Sequence, residues 1–552
     1  MEKQLKLLIL LFVSSTIDST QEKTEIIHTT SNGCIQGFRN EYAEVFWGIP
    51  YAKPPTGALR FQVPQPFKTE EGQKNEIFQA IKPGHGCIQN CVLPIGACPE
   101  TISEDCLSLN IYRPKRKCDQ ALTVMIFIHG GGFVAGASAV PLYDASRLVH
   151  LTNVIVVSIN YRLGAFGFYW NKDLPGNVGL LDQELAMKWV QRNIHSFGGN
   201  PSNVVLFGQS AGSTSISCHL QNLVINNVHK PPLFHKVIIE SLPIGVPLRS
   251  IESATVANNA FASLTGCLSS NDTTLCLQSL PSDVILQAQS LAEGADLLLE
   301  ADKLTAGQPW EPTLNLIAFP LIYNHANFFA QNSSRIKIPI LLGTVYDEGT
   351  LFIYETQTST INYTDLQGYI GGLWNKENII PINQAYNINF TLGADYHDVL
   401  SQILGDNVFT CAARYVLQSL SLYNSNLYLY VYNYLPNINT TVAAYGNSSA
   451  VPECYTKVCH ESELPLVFNS DFVLPYKLTL EEQHLSQLIG KAFTNFAKTG
   501  NPNCPLSVGD EKWPRFKNTT GQNILLTLPK SFIESNHRGA ICDFCNTLGY
   551  DF

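Results

Sequence analysis

The chain is poor in charge. Asp, Glu, Lys and Arg make up 14% of its 552 residues, and nowhere do the basic ones run together. Nucleic-acid binding needs Lys and Arg clustered densely enough to displace phosphate counterions. A formal net charge of −10 with no basic stretch argues against that class. No internal repeat, low-complexity tract or heptad pattern is present, which sets aside solenoids and coiled coils. The carboxyl end, CNTLGYDF, carries no apolar tail, so neither a transmembrane anchor nor a lipid-anchor signal is expected there.

What is present is apolar. Hydrophobic side chains form 45% of the chain, enough for one large core, although this length also suits several small domains. At the amino end, MEKQLKLLILLFVSSTIDSTQEK sets Lys3 and Lys6 before an apolar stretch from Leu7 to Val13 and then small residues. That outline predicts a secretory signal peptide over residues 1–20, too short to span a bilayer. Seven Asn-X-Ser/Thr triplets, at Asn271, Asn332, Asn362, Asn389, Asn439, Asn447 and Asn518, would each suit a surface loop and carry a glycan in an exported protein. Fifteen cysteines fit disulfides in an oxidising compartment, and the odd number leaves at least one thiol free or paired outside the chain. Cys542 and Cys545 have the spacing of a redox pair but lack a thioredoxin-like strand and helix around them, so a structural role is expected.

Residues 21–75 read as an antiparallel entry broken by GIPYAKPPTGALRF, where Pro54-Pro55 fixes an extended turn. LTVMIFIHGGGF and NVIVVSINYRLGAFGF are nearly unbroken apolar runs, the pattern of strands buried on both faces. LLDQELAMKWVQRNIHSFGG keeps a helical period until Gly198 and Gly199. HKVIIES, KIPILLGTVYDEG and LYLYVYNY read as further strands and SATVANNAFASLTG as a helix. Strand alternating with helix, with no Pro/Gly/Ser-rich linker, predicts an open α/β sheet in a single domain over residues 21–552.

One segment, NVVLFGQSAGSTSISCHL, runs from strand to helix through Gly208-Gln209-Ser210-Ala211-Gly212. A helix that starts straight after a strand forces a tight turn and pushes the apex residue out of the sheet. Gly208 and Gly212 remove Cβ atoms where strand and helix would collide. Ser210 therefore sits where a nucleophile elbow puts its serine, and the Ala211 amide at the helix start can donate to an oxyanion. Further donors appear 79 residues upstream in IFIHGGGFVAG, where the amides of Gly131 and Gly132 can approach a substrate oxygen. No Gly-Lys-Ser/Thr follows that loop, so it does not read as a phosphate cradle. In an elbow-type hydrolase the acid and then the histidine follow the serine. This order removes His129 and His195. His460 stands out in VCHESELPLVF, and Asp347 and Glu348 both follow a strand end in IPILLGTVYDEGTLF. Spacing alone does not choose between the two carboxylates.

FWGIPYAKPPTGALRFQVPQPF, SEDCLSLNIYRP, HGGGFVAG, NYRLGAFGF, the long block GNVGLLDQELAMKWVQRNIHSFGGNPSNVVLFGQSAGS and DEG follow one another along nearly the whole chain. Together they resemble the type-B carboxylesterase/cholinesterase family of the α/β-hydrolase fold. The resemblance implies a large, mostly parallel central sheet flanked by helices. It also implies a Ser–Glu–His triad, with the glutamate of DEG falling on Glu348 and the histidine of an HxxE loop on His460. In the implied chemistry Ser210 attacks an ester carbonyl, His460 moves the proton and Glu348 stabilises the imidazolium. The amides of Gly131, Gly132 and Ala211 hold the oxyanion, and water releases the acyl-enzyme. No metal or cofactor is implied. Three disulfide loops are, Cys87–Cys106, Cys267–Cys276 and Cys411–Cys542, while Cys91 with Cys98 and Cys454 with Cys459 could pair as well. Arg60 with Glu104 and Arg162 with Asp182 match structural ion pairs of relatives.

The chain also departs from the cholinesterases, which hold a quaternary ammonium against a tryptophan face. Here LPIGACPETISEDC has no Trp, and the acidic residue that those enzymes place before the nucleophile is Gln209. Their acyl-pocket Trp falls near Leu248. ESLPIG stands where relatives commonly have QSGS, so Leu242 replaces a glycine. The expected function is a secreted esterase acting on small-molecule or lipid esters. A storage or binding protein of secretory vesicles is the alternative, and a cholinesterase a weaker third.

Overall fold

The computed structural model describes residues 26–30, 33–68, 76–93, 96–115, 120–226, 231–299, 308–437, 451–505 and 512–550. The expected signal peptide and the triplets at Asn439 and Asn447 lie outside the described residues, as does Cys118.

Among the described residues, thirteen strands form one sheet. They are β1 (Ile26–Thr30), β2 (Gly33–Arg39), β3 (Ala43–Pro50), β4 (Ile77–Gln79), β5 (Ser108–Pro114), β6 (Leu122–Ile128), β7 (Ile155–Ile159), β8 (Gly199–Gln209), β9 (Lys236–Glu240), β10 (Ile340–Val345), β11 (Leu427–Tyr432), β12 (Gln522–Leu526) and β13 (Phe532–Ser535). The order is β1-β2-β3-β5-β7-β6-β8-β9-β10-β11-β12-β13, with β4 beside β2. From β7 to β12 every pairing is parallel. The entry β1-β2-β3-β5 and the last strand β13 are antiparallel, as residues 21–75 led one to expect.

The unbroken apolar runs are explained by which side each residue faces. Val124, Ile126 and Ile128 of β6 belong to one core, and Met125 and Phe127 between them to another. The same alternation holds along β8, with Val204 and Leu206 on one side and Val205 and Phe207 on the other. A strand with a core on each face has no solvent side to mark with polar residues. Helix Val178–Asn193 and helix Ala211–Gln221 supply side chains to the first core, helix Leu480–Thr499 to the second. The carboxyl ends of β6, β8, β9 and β10 consequently all emerge on one edge, where open α/β sheets place their ligand crevice.

The entry segment is tied to this sheet by ion pairs. Arg60 bonds both oxygens of Glu104. Arg162 bonds both oxygens of Asp182 at 2.8 Å and reaches the Gln62 carbonyl, with the pair 3% and 0% exposed. Removing one partner of such a pair strands a charge in the core. Arg162→Ala is therefore expected to lose about 3–5 kcal/mol of stability, readable as a shift of the urea unfolding midpoint.

Among the described residues the disulfides are Cys87–Cys106, Cys91–Cys98, Cys267–Cys276, Cys411–Cys542 and Cys454–Cys459. Cys542 is thus spoken for, and Cys545 is a buried thiol, so the two make no redox pair. Asn271, Asn362, Asn389 and Asn518 are exposed. Asn332 corrects the expectation of a surface loop. It caps helix His325–Gln331, is 6% exposed, and its amide nitrogen donates to the Phe328 carbonyl.

Candidate active site

β8 ends at Gln209, helix Ala211–Gln221 begins two residues later, and Ser210 between them has φ 55° and ψ −124°. A non-glycine residue held there is strained, and such strain collects at functional turns. Its amide donates to the Glu240 carbonyl at 3.0 Å and its carbonyl accepts from Thr214 N at 2.9 Å, so the turn is fixed on both sides. Gly212 is required by close approach: a Cβ there would lie 2.0 Å from the Ile128 carbonyl oxygen. The Ala211 amide, first in the helix, is among those a helix cannot satisfy internally.

The glycine loop leaves β6 beside this turn. A Cβ built on Gly130 would come within 3.2 Å of the Ser210 Cβ. Gly131 and Gly132 follow with φ 96° and 58°, and Val134 and Ala135 both donate to the Gly131 carbonyl. A side chain at Gly131 would also meet the Ala135 oxygen at 2.3 Å. The loop that carries the two expected oxyanion donors is thereby folded against the serine turn.

Past the end of β10, Asp347 and Glu348 take different partners. Asp347 is held in an isolated bridge to Cys459, its amide donating to the Val458 carbonyl and its carboxylate accepting from Val458 N. Glu348 is fully buried, accepts from Val345 N through Oε1 and from His460 Nδ1 at 2.6 Å through Oε2. Asp347 thus splices the acid's loop to the histidine's, and Glu348 takes the imidazole. The Cys454–Cys459 disulfide closes the turn just before His460. Phe352 and Phe409, their rings stacked at 5.8 Å, lie 5.0 and 5.2 Å from the imidazole.

The second imidazole nitrogen, Nε2, lies 3.0 Å from the Gln209 amide nitrogen. With Nδ1–H given to Glu348, Nε2 is a lone-pair acceptor, and Gln209 is its donor. Sequence reasoning marked Gln209 only as a departure and did not foresee this contact. Burial lowers the His460 pKa, but the charge and hydrogen bond of Glu348, with smaller contributions from Glu461 and Glu463, more than reverse it and leave the imidazole above its ordinary value. The structure therefore brings Glu348, His460 and the Ser210 turn to one edge of the sheet. Leu242 and Leu248 are both buried.

Known proteins share this chain's sequence and shape over nearly their full length. The family profile described as carboxylesterase family matches residues 23–545. The chain is 32% identical to the crystal protein of Dictyostelium discoideum, over 94% of this chain and 90% of that protein. It is 32% identical to the cAMP-regulated D2 protein of the same organism, over 99% and 98%. The cholinesterase of Mus musculus matches at 32% identity, over 98% and 89%. Among solved structures, a PNB esterase superposes with a TM-score of 0.75 at 29% identity, covering 95% of this chain and all of that one.

Proposed function

This chain belongs to the carboxylesterase family and has its α/β-hydrolase fold, and from that premise we propose a secreted serine esterase that hydrolyses small-molecule or lipid carboxylic esters through an acyl-enzyme. Ser210 is the nucleophile. His460 accepts its proton and returns it to the leaving alkoxide, and Glu348 holds the imidazole's tautomer and stabilises its cation. The amides of Gly131, Gly132 and Ala211 receive the oxyanion. Residues 21–552 act as one domain, released from the signal peptide of residues 1–20. Five disulfides suit an oxidising compartment, and among the described residues no helix is long and apolar enough to cross a membrane.

The observation that carries this reading is the buried 2.6 Å bond between Glu348 and His460, at the sheet edge that also bears the Ser210 turn. The test is fluorophosphonate labelling of the purified chain, together with the pH profile of p-nitrophenyl ester hydrolysis. A general base works only when neutral, so a raised imidazole pKa means activity is lost as pH falls through it. The acid limb of kcat/KM is expected above pH 6.5, the ordinary histidine value. A profile flat through that range, or no labelling, sinks the proposal.

The second reading, a storage or binding protein, is favoured by one contact: the Nε2 that would serve Ser210 is engaged by Gln209. It predicts a folded chain that takes no label.

A further inference from the structure

Gln209 is the last residue of β8, in register with Glu240 of β9, and the residue after it is Ser210. Its side chain is fully buried. The amide oxygen rests against Gly130 of the glycine loop, where a Cβ would come within 2.7 Å of it. That oxygen has no hydrogen-bond partner among the described residues. The amide nitrogen lies 3.0 Å from His460 Nε2, and this is the single bond the side chain makes.

A neutral imidazole has one N–H to give and one lone pair to offer. His460 gives its N–H to Glu348 at 2.6 Å, which leaves the Nε2 lone pair as the one seat for a proton. Ser210 can hand its proton only to that lone pair, and the Gln209 amide already occupies it. The hydrogen bonds of the ring among the described residues are these two, and neither goes to Ser210. Water does not arbitrate, since His460 is 2% exposed. Two residues adjacent in sequence thus compete for one atom of one ring.

We propose that Gln209 is a positioning residue that latches the general base: its amide holds the Nε2 lone pair in the resting site, and Ser210 is activated only when that bond opens. This rests on the esterase reading. The setting suits a latch. Gln209 is carried by an interior strand, and His460 by a loop that is bridged to Asp347 and closed by the Cys454–Cys459 disulfide. The fold itself therefore presents the two nitrogens to each other. The residue type matters as much as the place. A carboxylate here could not donate to a lone pair; it would accept from a protonated Nε2 and favour the imidazolium. An amide blocks the neutral base without charging it.

The test compares Gln209→Leu and Gln209→Glu with wild type, in the full chain, by following fluorophosphonate labelling over time. Leucine removes the donor and the partnerless oxygen together, so the fold should hold. The limiting labelling rate at saturating probe should rise by roughly 2- to 10-fold, the worth of one amide hydrogen bond. A contact that only supports the structure costs reactivity when cut, whereas a latch returns it. An unchanged or lower rate, or a gain confined to probe affinity, overturns the proposal. Glutamate keeps the shape and reverses the sign, and it decides the matter should the leucine variant not fold. The charges already facing His460 are Glu348 past β10 and Glu461 and Glu463 on its own loop. One more should carry the acid limb of p-nitrophenyl butyrate hydrolysis up by about one pH unit. An unmoved limb would place the side chain away from Nε2 and overturn the proposal as well. The esterase reading fails separately. Labelled wild type with no gain in the leucine variant sinks the latch alone. Label in the leucine variant but none in wild type supports a latch that silences the site. No label in either sinks the esterase reading, and the latch with it.

Discussion

Ser210→Ala should abolish fluorophosphonate labelling and lower ester turnover by roughly 10⁶-fold, with a small residue of activity from the oxyanion donors. The size follows from what the serine does. In the proposed mechanism, without its Oγ there is no acyl-enzyme, and His460 has no proton to take. The backbone should survive, because the turn is fixed by contacts that alanine keeps: the Ser210 amide on Glu240, its carbonyl on Thr214, and the fit of Gly212 against Ile128. Unchanged thermal unfolding beside lost turnover would assign the effect to chemistry. Wild-type-like turnover in the alanine variant would show that Ser210 is not the nucleophile and refute the mechanism at its first step.

Glu348→Gln should cost roughly 10⁴-fold in kcat, and the matched change Asp347→Asn far less. Glutamine keeps the shape but presents an amide that cannot both accept from His460 Nδ1–H and stabilise the cation formed in the transition state. Asp347 bonds backbone in the histidine's loop, so its loss should loosen that loop and show up chiefly in stability. Comparable losses of kcat from both changes would mean that the splice between the loops, not the identity of the acid, limits the reaction.

These two neighbouring acids mark where the sequence stops being legible. The central strands were readable because burial on both faces leaves a continuous apolar run. The short outer strands β12 and β13 have no such run and were missed. The elbow was readable because only glycine fits where strand and helix touch. In the sequence only the resemblance of the DEG motif separated the two acids. That Asp347 turns instead to the backbone of Val458, more than a hundred residues away, is a contact that spacing does not record. The same is true of the burial of Asn332 and of Gln209 meeting His460. Two of the disulfides, Cys91–Cys98 and Cys454–Cys459, could be named from the sequence only as possible pairs, and both form.

The serine turn, the glycine loop and the Glu348 loop each continue directly from an interior strand, β8, β6 and β10, and none belongs to a peripheral hairpin. Regions that open independently are those with few buried contacts and exposed hydrogen bonds, and these strands have neither. These three parts of the reactive edge therefore have no private mode of fraying. His460 alone rides on a loop outside the sheet, tied down by the Asp347 bridge and the Cys454–Cys459 disulfide. Heat or denaturant should accordingly extinguish function no later than fold.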